Sequence, residues 1–169
     1  MTTTLLPNTL YIAIFIRADP PIPDDFHWAL YHPTTTTHGT KYHISNESNG
    51  WIAAHSRESP SSILKTFLLA GLIRVADVNT DTADLDGSNV LNSRIDTLLR
   101  SKDANLNDKD GVTCRTWLLE MLRLLDKEGL LRDVRCGGDV ERLEREVKQW
   151  GNGLAEGAVR NVQPRPVGN

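Results

Sequence analysis

The spacing of apolar and polar positions divides the chain into a first half of strand-length runs and a second half of helical stripes. "TLYIAIFIRA", from Thr9, is a short run rich in isoleucine and aromatic residues, the pattern of a buried strand. "DPPIPDD" ends it, because three prolines in seven residues cannot pair inside a sheet. "FHWALYH" (Phe26 to His32) predicts a second strand and "KYHISNE" (Lys41 to Glu47) a third. Between them "PTTTTHGT" reads as a turn, so the two strands form a hairpin. "GWIAAHS" fits one more strand or a sheet edge.

"SSILKTFLLAGLIRVADVN" mixes two periods: helical spacing in its first half, alternation in "LIRVADV". From Asn79 to Asp110 the chain is polar and reads as loop, interrupted by a short helix around "SRIDTLLRS". The clearest helix follows. Cys114, Trp117, Leu118, Met121, Leu122 and Leu125 recur at the spacing of one helix face. Thr113 or Asp110 suits its start and Gly129 its end. A last, charged helix carries Val140, Leu143, Val147 and Trp150 on one stripe, and "QPRPVGN" reads as an extended tail. Strands first and helices after predict an α+β fold, an antiparallel sheet packed against helices, in a single domain over residues 1–169.

Composition narrows the function classes. Apolar residues make up 39% and charged residues 24%, the balance of a globular domain. A chain of this size buries roughly two thirds of its unfolded surface. Nineteen basic against 22 acidic residues give a net charge of −3, with no basic stripe, so a nucleic-acid partner is not expected. "LYIAIFI" and "FLLAGLI" are too short to span a bilayer, and no basic segment precedes the first. The expectation is a soluble, cytoplasmic protein without an integral membrane segment. Its two cysteines, Cys114 and Cys136, form no scaffold or CxxC pattern and stay reduced in that compartment.

Three residues carry candidate chemistry. Cys114 lies in the first turn of its helix, where partial positive charge and free N–H groups favour thiolate, and on the stripe that points inward. If the helix packs on the hairpin, Cys114 faces His27 or His43. A thiol, an imidazole that takes its proton and a polar group that orients the imidazole make a nucleophilic site. The plainer alternative is a core cysteine and structural histidines. His32, His38 and His55 occupy turn or edge contexts and read as solvated; Cys136, in "VRCGGD", reads as incidental. His27, His43 and Cys114 would offer a metal three ligands, but no fourth ligand or zinc spacing accompanies them, so neither metal nor cofactor is expected.

"HWALY", then "TKYHI" one strand later, then a cysteine opening a helix, together resemble the lecithin:retinol acyltransferase-like family of circularly permuted papain-like proteins. His27 to Tyr31 match its His-Trp-Ala-apolar-Tyr motif; His43 and Cys114 match its second histidine and its nucleophile. The resemblance implies a permuted papain-like fold with Cys114 as thiolate nucleophile, His27 as base and His43 as orienting residue. Thr113 before the cysteine and "RTW" after it stand where that family has Asn and Glu-His. Two functions follow as expectations. The first is thiol-dependent acyl transfer, or ester or amide hydrolysis, on a small or peptidic acyl substrate. The second is a binding module on the same fold, without turnover.

Overall fold

The structure, a computed structural model, describes residues 4–82 and 87–169. Strand β1 (Thr9–Ile16) is buried at every position, because it lies inside the sheet with helices on one face and a thin cover on the other. It pairs antiparallel with β2 (Phe26–Pro33), which pairs with β3 (Gly39–Tyr42). The chain then leaves the sheet to form a separate hairpin, β4 (Ile44–Glu47) and β5 (Gly50–Ala53), before β6 (Ser56–Arg57) returns to pair with β3. A single-turn helix, α1 (Pro60–Ile63), leads to β7 (Leu69–Val78), which lies against the other side of β1. Helices α2 (Ser88–Leu99) and α3 (Cys114–Lys127), strand β8 (Leu131–Arg132), helix α4 (Val140–Val159) and strand β9 (Val167–Gly168) complete the chain. The sheet order is β6-β3-β2-β1-β7-β8, with β9 parallel to β7. This is an α+β fold, a mostly antiparallel sheet packed with helices.

Alternation sorts the sheet's side chains into two cores. Leu10, Ile12, Ile14 and Ile16 of β1 join Phe26, Trp28 and Leu30 of β2 against Trp117, Leu118, Met121 and Leu125 of α3. Tyr11, Ala13 and Phe15 join Ala29 and Tyr31 on the opposite face, under Leu5 and Ile63. Helix α4 comes so close that a Cβ at Gly151 would lie 2.5 Å from Ile14 Cδ1 and 3.0 Å from the Phe26 ring.

Several expectations need correction. The helical spacing before β7 yields only the one turn of α1, because Leu68 turns the chain at φ 68° and β7 starts at Leu69. Helix α2 begins at Ser88, earlier than its periodicity indicated, and positions 83–86 of the polar stretch lie outside the described residues. The tail is not simply extended. Arg165 is 1% exposed and donates to the Gly157 and Val162 carbonyls and to Asn161 Oδ1, tying off the end of α4, and β9 adds to the sheet. Among the described residues no helix is long and apolar enough to cross a membrane.

Leu118 is fully buried and Phe67 is 65% exposed. Leu118→Ala should therefore cost about 2–5 kcal/mol in urea unfolding, while Phe67→Ala should stay within about 0.5 kcal/mol. Equal effects would mean that α3 packs with a different face.

Candidate functional site

The two strand histidines come together. The β2–β3 register ends at Leu30 opposite Tyr42, so the next pair in line is Ala29 with His43, and His27 is the diagonal neighbour on the same face. The His27 Nε2 to His43 Nδ1 distance is 2.8 Å, with ring centroids 5.0 Å apart at 74°. The pair sits beside Phe15, whose ring is 6.0 Å from that of His27 and lies under the Lys41 ammonium at 5.7 Å. Burial, then the nearby Arg17 and Lys41 charges, holds His27 down at about 4. His43 is also held at about 4, by burial first and then by His27, Lys41 and His55, against a hydrogen bond with the Ala54 backbone. At neutral pH the pair is uncharged, one ring donating to the other.

Cys114 does not join them. Of the two candidates for the cap, Thr113 and not Asp110 starts α3, its Oγ1 accepting from the Thr116 N–H while Thr116 Oγ1 accepts from the Thr113 N–H, so Cys114 is the first helical residue. Its side chain is 5% exposed and belongs to the core that contains Phe26, Trp28 and Leu30. The His27 ring instead lies against Phe15, in the other core. Residues 27 and 28 of a strand point to opposite faces, and α3 covers the face of Trp28. The sulfur makes no hydrogen bond to either imidazole. The expected juxtaposition of Cys114 with His27 or His43 is therefore not formed.

Two histidines read as solvated prove to be buried. The side chain of His55 is 1% exposed. Its Nδ1 accepts the His43 backbone N–H at 3.1 Å and its Nε2 donates to Asp103 Oδ1 at 3.0 Å. The ring stacks on Trp117 at 5.7 Å and meets the edge of Tyr42. With both nitrogens engaged, His55 braces the chain where it leaves β3. His32 is 1% exposed, and its Nε2 has no hydrogen-bond partner. Burial pushes it down to about 4, against the opposing pull of Asp96. The signal for His32 was present: it shares the parity of Phe26, Trp28 and Leu30 and so faces the helices. Nothing local marked His55, whose partner Asp103 lies 48 residues away.

His32 borders an open cleft of about 700 Å³ between the β2–β3 hairpin and α2. Tyr42 donates to Asp96 Oδ1 at 2.6 Å in its wall, and Arg100 Nε reaches both Asp96 oxygens at 2.9 and 3.0 Å. Burial and then Asp96 raise the Tyr42 phenol, while burial raises Asp96 and the Tyr42 and Arg100 contacts outweigh it to hold the carboxyl below its usual range. Cys136 is half-buried beside Glu146, and burial followed by that carboxylate raises its thiol. Among the described residues no group of three metal-ligating side chains converges. Compared with models of known families, with curated proteins and with solved structures, the chain matches none.

Two outcomes follow. The folded His27 and His43 titrate near 4, below the ordinary value of 6.5, so the unfolded chain takes up protons first. Their contribution to stability is full above pH 6.5, falls as the pH drops and is gone below about 4. The His27→Gln, His43→Gln double variant should flatten the urea midpoint over that window, leaving the share due to His32; an unchanged slope would place the pair in solvent. Native Cys114 should react with iodoacetamide far more slowly than Cys114 in urea. Fast native labelling that drops in His27→Gln would show a thiol–imidazole couple.

Proposed function

We propose that the chain is a binding module for a small molecule, with its site in the cleft between the β2–β3 hairpin and α2. The observation that carries this reading is His32: an imidazole fully inside the protein, bordering the cleft, with Nε2 unpaired. A buried polar atom without a partner costs about 1–3 kcal/mol, and such groups in native proteins call for an explanation in function. A molecule seated in the cleft gives His32 a partner.

Acyl transfer at Cys114 draws less support. A papain-like thiol site needs its base within hydrogen-bond reach of the sulfur. Here the matching imidazole lies on the other face of the sheet, bonded to His43. The sulfur is closed in by the apolar residues of the helix-side core.

The reading is tested by titrating the isotope-labelled chain with a mixed library of polar metabolites and following backbone amides. Shifts should centre on His32, Tyr42 and Asp96 and disappear in His32→Phe, with the remaining amides unmoved. A p-nitrophenyl ester that leaves a thioester adduct on Cys114, lost in His27→Gln, would reverse the assignment in favour of acyl transfer.

A further inference from the structure

The cleft also constrains what it takes; this inference rests on the binding reading above. We infer that its ligand is a small, uncharged, hydroxyl-rich molecule, of the size of a monosaccharide or cyclic polyol. The first argument is the state of the charges. Asp96 is engaged by Tyr42 and Arg100. Glu58, the other carboxylate among the described residues of the cleft, pairs with Lys41 at 3.1 Å and accepts from Thr66 at 3.0 Å. Among the described residues an amine or guanidinium therefore finds no uncommitted carboxylate. Arg100 is taken up by Asp96, and Arg57 stands exposed at the sheet edge. Among the described residues an anion would find one uncommitted guanidinium, that of Arg57, because Arg100 is already paired with Asp96.

The second argument comes from α2. Asn89, Asn92, Ser93, Asp96, Thr97 and Arg100 all border the cleft. They recur at i, i+3, i+4, i+7, i+8 and i+11, one face of the helix. Leu91, Ile95 and Leu99 fill the opposite face and are buried. Four of the six cleft-facing side chains are amides or hydroxyls, which bond to neutral partners in both directions. Asn92 Oδ1 is buried with no partner, like His32 Nε2. One unpaired group is an acceptor and the other is on a neutral ring that offers one donor and one acceptor. A hydroxyl serves both, because it donates and accepts from the same oxygen.

About 700 Å³ lies within the range of small-ligand sites. Tyr42, the aromatic ring at this cleft, is 2% exposed and has Arg100 over it at 5.7 Å. Among the described residues of the cleft no Phe, Tyr or Trp face is open for a sugar to stack upon. The interaction rests on hydrogen bonds, each of which exchanges with water for a net gain of about 0.5–1.5 kcal/mol, and millimolar affinity follows.

The test is an amide-shift titration of the full chain with glucose, N-acetylglucosamine and myo-inositol, beside citrate as an anion and arginine as a cation. At least one neutral probe should saturate shifts along β2, β3 and α2. Its affinity should fall about tenfold or more in Asn92→Leu, a loss of about 1.4 kcal/mol. Because Asn92 is partly buried, Ser93→Ala with Thr97→Ala provides a second arm on exposed positions, where folding is unaffected and affinity should still drop. Cleft shifts with citrate or arginine but with none of the neutral probes would overturn the inferred ligand class and leave the binding reading standing. If neither these probes nor the metabolite library moves the cleft, both are overturned.

Discussion

The period of two in β2 decides what this molecule can do. The strand is covered on both sides, so each of its residues belongs to one core or the other, and a shift of one position exchanges them. Phe26, Trp28 and Leu30 are locked against α3 by burial, and that fixes His27 on the far face. The same parity sends His32 toward α2. A histidine that looked like a base is thereby paired with another histidine, and one that looked like part of a turn becomes the buried wall of a cleft.

The elements that could be read from the sequence are those whose signal is local. The run from Leu10 to Ile16, the stripe from Cys114 to Leu125 and the Thr113 cap each depend on spacing within one element, and the structure contains all three. The pairing of His27 with His43 was also accessible, because a hairpin with a turn of that length brings the two strands into register. Other features depend on the phase between elements. Which face of β2 receives α3 is set by the packing of Phe26, Trp28 and Leu30 against Trp117 and Leu118, a contact between distant segments. The His55–Asp103 brace joins segments 48 residues apart, and the small strand β9 forms because β7 offers it an edge.

The HWALY pattern and the helix-opening cysteine illustrate the same division. The motif occupies a strand and the cysteine opens a helix. Chemistry at a thiol requires a third condition, that the imidazole and the sulfur share a face, and local spacing does not carry it. His43 hydrogen-bonds to His27, and its own backbone N–H is held by His55, so the pair is fixed on its side of the sheet. The polar face of α2 offers a further case: Asn89 and Asn92 fall in a stretch that reads as loop, and their place on a helix face appears only in the fold.

The placement of the two histidines is the central claim, and ring-proton NOE spectroscopy tests it most directly. The account predicts cross-peaks from the His27 ring to the Phe15 and His43 rings and none to the Cys114 β-protons, together with contacts from His32 to Asn92 or Asp96 on α2. A cross-peak between the His27 ring and the Cys114 β-protons would place thiol and imidazole on one face and contradict it.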